Sequence, residues 1–492
     1  MQPADLVVLS RDVDTLCRTV SAEALAIAAP WQGWLQGSDY ADSAANLSQY
    51  LALRHQDLRD LQRRLMAAGL SSLGRSESRV MPTLQALQRI LALACGLVPG
   101  TEANTDTDFF AGQTRIATRA DAILGRCGPE SPVRLMVTLP SSAAKDPEFS
   151  VQLARLGVES VRINCAHDDE IAWAAMVAHI RAAEAKTGRT MRIVMDLPGP
   201  KIRTGKSREN KDAPRVQVGD SLAITRRKRL SAAPRDMAAI ACEFDAAIEA
   251  THLDHRIHID DGKLSTRVTA VEDWGVVVRV EAGPDERGYK LKPEKGLNFP
   301  DAELAVAALT AEDRAILPFV ARHADAIDFS FVQTPADVAD LQTALAEIRP
   351  EDWQSLGLIL KIETRLALKS LPALIVAAAA RQPTAVMIAR GDLAVEVGFA
   401  RVAEIQEEIL WLCEAAQIPV IWATQVLESQ LKTGVPSRGE MTDAAMAARA
   451  ECVMLNKGPY LIDGIGMLHS LHLRMGEHLV KKSHLLRPLR SW

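Results

Sequence analysis

The chain has 492 residues, enough to bury several cores, and its 57 Lys and Arg against 62 Asp and Glu leave a formal charge of -5. That balance carries no general nucleic-acid signature. No apolar run is long enough to span a bilayer, the start lacks the basic head of a signal peptide, and the seven cysteines are scattered without CxxC pairing, so no membrane partner, reduced thiols and a cytoplasmic location are expected.

Residues 1–128 read as a helical region. Leu47 to Ala68 and Val80 to Leu97 carry apolar residues at helical spacing, with Gly69-Leu70-Ser71-Ser72-Leu73-Gly74 as the connection and the polar Thr101 to Thr107 stretch as a linker. This region is expected to pack on the rest of the chain or to mediate a homo-oligomer. Nothing in it marks a catalytic site.

Eight strand candidates follow: Val133 to Leu139, Ser160 to Asn164, Arg192 to Leu197, Ala326 to Val332, Gly357 to Glu363, Ala385 to Gly391, Pro419 to Gln425 and Cys452 to Asn456. Short apolar runs flanked by Ala- and Leu-rich helical sequence read as buried parallel strands. They predict an α/β fold, a (β/α)₈ TIM barrel over 129–205 and 297–480. Residues 206–296 break the rhythm with the β-rich run Gly275-Val276-Val277-Val278-Arg279-Val280, the alternating Arg256-Ile257-His258-Ile259-Asp260 and the turn signal Asp260-Asp261-Gly262. They predict a small β-barrel domain inserted after the third strand, placed to close over the active-site face as a lid. Residues 481–492 form a basic tail, expected to be solvated.

Charged residues appear where the fifth and sixth strands end, in Lys361-Ile362-Glu363 and Ala389-Arg390-Gly391-Asp392-Leu393. The C-terminal strand ends form the active-site face of such a barrel. Glu363 and Asp392 offer two hard oxygen ligands, a set that suits Mg²⁺ (or Mn²⁺), which completes its octahedron with substrate oxygens and water. Lys361, two residues before Glu363 on the same side of an extended strand, would neutralise charge on an enolate or a transferring phosphoryl group. An ordinary strand-end ion pair is the competing account.

From about Arg134 to Met467 the sequence resembles pyruvate kinase. The motifs that carry the resemblance are Arg162-Ile163-Asn164, Met195-Asp196 with Gly199-Pro200 and Ile202-Arg203-Thr204-Gly205, Asp260-Asp261-Gly262, Lys295-Gly296-Leu297-Asn298, Ser330-Phe331-Val332, the two charged motifs above, and Ala423-Thr424-Gln425-Val426-Leu427-Glu428-Ser429. The resemblance implies transfer of a phosphoryl group from phosphoenolpyruvate to ADP. It implies that Glu363 and Asp392 hold the divalent metal and that Lys361 stabilises the phosphoryl group. Arg162 would bind the phosphate of phosphoenolpyruvate, Arg203 would face the nucleotide phosphates, Thr424 would sit near the proton transfer, and Gly391 would let the backbone approach the substrate carboxylate.

Departures from the family pattern bear on its potassium site. Asn164 and Asp196 are kept, but Ala166 and Leu197 stand where hydroxyls are usual, and Lys201 stands where potassium-dependent members carry Glu. Activity without potassium is therefore expected. Pro198 replaces a usual Lys, Ala394 a Gly, and Asn456-Lys457-Gly458-Pro459 the usual Ser-Gly-Glu-Thr. The short tail in place of a C-terminal regulatory domain implies no effector control through such a domain. Two other classes compete with a kinase: a noncatalytic regulatory or binding protein on the same scaffold, and a metal-dependent enolate lyase that releases pyruvate without ADP.

Overall fold

The computed structural model describes residues 3–484 except 101–102, 129–131, 211–212, 285–286, 303, 305 and 477. Eight parallel strands, Arg134–Thr138, Ser160–Asn164, Arg192–Asp196, Ala326–Phe329, Gly357–Ile362, Thr384–Ala389, Val420–Ala423 and Cys452–Leu455, pair each with the next, and the last pairs with the first, to close a barrel. The expected (β/α)₈ barrel is present. Helices between the strands begin where the sequence supplies caps: Asp169, Thr310, Thr334, Thr364 and Ser437 each accept a backbone N–H of the first helical turn. Most strands stop one to three residues short of the sequence reading, and those last residues lie in the segments that follow the strands. The sixth ends at Ala389, and Arg390-Gly391-Asp392 already forms the first turn of the helix Arg390–Val397.

The inserted segment forms a seven-stranded sheet with its own core, which includes Leu222, Ile240, Ile257, Val276 and Val278. Its edge strands are Thr204–Arg208 and Leu297–Asn298. A bridge between Arg203 and Gly296 joins the two edges, so the sheet curls into a barrel-like form where it leaves the barrel. The Asp260-Asp261-Gly262 turn lies against the main barrel, where a Cβ placed on Gly262 would sit 3.5 Å from Val395 Cγ2.

The N-terminal region is helical, as Pro3–Ala28, Ala41–Arg54, Arg59–Ala67, Val80–Ala94 and Asp106–Leu124. The Leu47 to Ala68 segment is thus two helices, broken at 55–58. Asp106 and Thr107 belong to a helix and not a linker, since Thr105 accepts from the Asp108 N–H and caps it; residues 101–102 lie outside the described residues. The region packs on the barrel. Its polar contacts converge on the short segment before the seventh strand: Tyr40 donates to the Ala416 carbonyl (2.7 Å), Asn46 to that of Ala415 (2.7 Å) and Arg119 to that of Gln417 (2.7 Å).

The end of Asp106–Leu124 goes further. Ile123 and Leu124 are 1% and 0% exposed and share one core with inward-facing residues of the strands, among them Met136, Val194, Ile359, Met387, Ile421 and Met454. They plug the barrel end opposite the strand C-termini. Gly357 is required here, because a Cβ would come within 2.7 Å of Ile123 Cγ1.

The first residues of the basic tail are not solvated. Lys481 pairs with Glu451 (2.5 Å), and Lys482 pairs with the buried Glu77 and lies over the Trp411 ring. Residues 485–492 of that tail lie outside the described residues.

Candidate active site

Every barrel strand contributes to one cluster at the C-terminal face: Thr138 from the first, Arg162 and Asn164 from the second, Asp196 from the third, Asp328 and Ser330 from the fourth, Lys361 and Glu363 from the fifth, Gly391 and Asp392 after the sixth, Thr424 after the seventh and Asn456 after the eighth. Asp196 is the hub, 2% exposed. It accepts from Arg162 Nε (2.9 Å), Lys361 Nζ (3.0 Å) and Ser330 Oγ (3.0 Å). Burial opposes its ionisation, but the Arg162 and Lys361 charges prevail and lower its pKa.

Lys361 also donates to Ser330 Oγ (2.5 Å) and lies 3.5 Å from Glu363 Oε1. Burial works against its ammonium, yet the carboxylates of Asp196 and Glu363 outweigh that cost and raise its pKa. It stays charged across the whole physiological range. Glu363 is 4% exposed and accepts the Phe331 N–H at 2.6 Å. Its pKa is raised by burial, with the Asp392 charge adding to the rise against the opposing ammonium of Lys361. Two nearby carboxylates that resist sharing negative charge are what a dication would relieve. Among the described residues no three acidic, His or Cys side chains form a metal cage. A cation here would take its remaining ligands from substrate and water, as Mg²⁺ does, so the donor set fits.

Lys201 reaches from the base of the inserted domain to Asp392 (3.0 Å) and to Asp261 (3.3 Å) on that domain's turn. Burial disfavours its charge, but Asp392 and Asp261 raise its pKa. Ala166 and Leu197 carry no side-chain oxygen, so neither adds a side-chain ligand beside Asn164 and Asp196.

Thr424 and Gln425 adopt left-handed backbone, φ 64° and 58°, which is rare for a β-branched residue and costs of order 1–3 kcal/mol. The turn brings Thr424 Oγ1 to accept the Gly391 N–H at 3.0 Å. Arg390 braces the same turn by donating to the carbonyls of Ala423 (3.0 Å) and Thr424 (2.6 Å) while pairing with Asp443. Arg203 donates to the Glu294 carbonyl (3.3 Å), at the neck of the inserted domain. Beside the cluster a cleft of about 270 Å³ is lined by Thr138, Arg162, Asn164, His167, Lys432 and Lys457, among others.

Asp328, Ser330 and Thr138 had no assigned role in the sequence reading. A lone Asp within the apolar strand Ala326–Phe329 was the available signal for the first. Asp328 is fully buried, 3.5 Å from Arg162 Nε, and among the described residues neither carboxylate oxygen has a hydrogen-bond donor. Burial and the neighbouring Asp196 charge push its pKa up to about 8. A carboxyl with a raised folded pKa binds its proton more tightly folded than unfolded, so this group's contribution to stability falls as pH rises from about 4 toward 8. Asp328→Asn is expected to match the parent in urea unfolding near pH 4.5 and to be more stable by about 1–3 kcal/mol near pH 8.5. An equal gap at both pH values would contradict this.

Comparison with known proteins decides the family. The barrel domain of pyruvate kinase, as a family pattern, matches residues 119–460. The chain belongs to the pyruvate kinase family. It is 30% identical over 341 residues to a pyruvate kinase of Hypocrea jecorina (68% of this chain, 61% of that protein), and 31% identical over 345 residues to one of Geobacillus stearothermophilus (68% and 56%). A pyruvate kinase of Methylorubrum extorquens is 32% identical over 350 residues (69% and 67%). The match spans only about six-tenths of the length of the first two relatives. Like the barrel, this pyruvate kinase-family site is built from strand ends; the matched region begins inside the helix Asp106–Leu124, so most of the N-terminal helical region falls outside it. No helix among the described residues is long and apolar enough to cross a membrane.

Proposed function

We propose that this chain transfers the phosphoryl group of phosphoenolpyruvate to ADP, giving pyruvate and ATP. The observation that carries the reading is the buried Arg162, Asp196, Lys361, Glu363 cluster opening onto Asp392 and Thr424. Phosphoryl transfer needs mainly positioning and charge neutralisation. Mg²⁺ (or Mn²⁺) held by Glu363 and Asp392 supplies positive charge to the phosphoryl oxygens when bound.

Lys361, locked by Asp196 and Ser330, presents a permanently charged donor to the transferring group, and its geometry is set before substrate arrives. Arg162 binds the substrate phosphate, with Asp196 and Thr138 fixing the guanidinium. Arg203 faces the nucleotide phosphates. Gly391 allows close approach of the substrate carboxylate, and its N–H orients the Thr424 hydroxyl beside the carbon that accepts a proton when enolpyruvate becomes pyruvate. Lys201 supplies a fixed ammonium in place of a monovalent cation, which supports activity without potassium. The inserted domain excludes water, so that the phosphoryl group reaches ADP and not solvent.

The test is pyruvate formation from phosphoenolpyruvate with Mg²⁺, with and without ADP, potassium and EDTA. ADP-dependent turnover that ignores potassium and is lost with EDTA is expected. Pyruvate released without ADP would point to a lyase instead, and no turnover in any condition would overturn the catalytic reading.

A further inference from the structure

Asp328 has no part in the proposed chemistry, yet it lies among the groups that do. On the fourth strand it is the register partner of Asp196 on the third, and its Oδ2 is 3.5 Å from Arg162 Nε. It is fully buried, and among the described residues neither of its oxygens accepts a hydrogen bond. A buried carboxylate without donors is costly, so its presence beside the phosphate-binding arginine calls for a reason.

The cluster balances without it. Arg162 and Lys361 bring two positive charges, Asp196 and Glu363 two negative ones, and their contacts link all four. A third carboxylate would add a charge with no partner of its own, so a neutral carboxyl fits the closed cluster. Asp196 is meanwhile crowded, since it accepts from Arg162, Lys361 and Ser330 together. Arg162 Nε thus stands between two carboxyls, 2.9 Å from Asp196 Oδ2 and 3.5 Å from Asp328 Oδ2. The charge on Asp328 decides where the guanidinium rests. A neutral Asp328 leaves it on Asp196, with Nη1 tied to Thr138 (3.0 Å) and its remaining N–H groups at the cleft. An ionised Asp328 draws it toward a fully buried seat and cancels part of the positive charge that an incoming phosphate would meet. The other titratable groups facing Asp328 are Lys361 and Glu363 of the fifth strand and Cys452 of the eighth, whose thiol burial keeps protonated.

We infer that Asp328 is a positioning residue for Arg162: as a neutral carboxyl it leaves the guanidinium free to hold the phosphate of phosphoenolpyruvate, and as a carboxylate it withdraws that grip. The inference rests on the kinase reading above, and it goes beyond it in giving substrate affinity a dependence on one buried proton outside the motifs that carry the family resemblance.

Steady-state kinetics of the parent and of Asp328→Asn with Mg²⁺, between pH 7 and pH 9, test it. With ionisation centred at about pH 8, only about one Asp328 in ten stays neutral at pH 9, so the parent's KM for phosphoenolpyruvate is expected to rise about tenfold over that range. Asparagine cannot ionise, and the KM of Asp328→Asn should rise less than about threefold. Asp328→Ala, which also lacks the ionisable group, should show the same flat profile. The KM for ADP should respond to pH alike in parent and variants, because Arg162 meets the other substrate. A merely structural role would shift a variant's KM equally at both pH values. A parent KM for phosphoenolpyruvate that stays flat, or a rise that Asp328→Asn shares in full, overturns the inference and leaves the kinase reading standing. If the parent shows no turnover at pH 7, the kinase reading fails separately, and calorimetric titration with phosphoenolpyruvate at the two pH values decides the role of Asp328. Parent affinity that falls with pH while that of Asp328→Asn holds supports it, and parallel affinities refute it.

Discussion

Lys361→Met is expected to lower kcat by about 10³-fold or more. Removal of one preorganised donor at a developing charge typically costs about 10²–10³, and here the lost group also anchors two neighbours. Lys361 Nζ is within 3.0 Å of Asp196 and 3.5 Å of Glu363, all three side chains being almost fully buried. Without the ammonium those carboxylates lose a counter-charge that solvent cannot replace. Breaking a buried ion pair from one side costs about 3–5 kcal/mol, so the urea midpoint should fall along with turnover. Lys361→Arg keeps the charge but cannot fit its planar fork to the Ser330 and Asp196 positions, and should recover stability more than rate. A Lys361→Met enzyme with near-parental kcat would remove Lys361 from the chemistry altogether.

Leu124→Ala is expected to destabilise the protein by about 2–5 kcal/mol with little change in kcat. Leu124 is fully buried at the closed end of the barrel among Met136, Ile359 and Ile421, so truncation leaves a cavity surrounded by strands that cannot collapse into it. The nearby backbone is equally constrained. Gly125 has φ 90°, its Cβ would approach the Glu159 carbonyl to 2.9 Å, and its own carbonyl accepts from Arg134 Nε at 2.5 Å. The candidate active site lies at the other end of the strands. Denaturant unfolding would show the loss, and steady-state kinetics below the transition would show the retained rate. A Leu124→Ala protein as stable as its parent would mean that the helical region only rests on the barrel and does not complete its core.

What could be read from the sequence and what could not divides along the reach of the interactions. Strand identity was legible because each barrel strand is a short apolar run between amphipathic helices, a pattern that solvent exclusion alone imposes. The residues at those strand ends were legible too, since a carboxylate or ammonium in such a position needs a partner or a ligand. Less could be read for Asp328, whose significance depends on Arg162 and Asp196 arriving from other strands. The tail lysines, which read as solvated, find Glu451 and Glu77 only in the folded seam between the barrel and the N-terminal helices.

The sequence by itself determined the order of the elements, the inserted β segment and the chemical types gathered at the strand ends, because periodicity and the cost of burying charge act locally along the chain. Tertiary structure alone decided that Ile123 and Leu124 plug the barrel, that Lys201 bridges Asp392 and Asp261, and that Lys457 meets the same cleft as Arg162. Those contacts join residues far apart in the chain, and their energies exist only after closure of the barrel has brought the partners within a few ångströms.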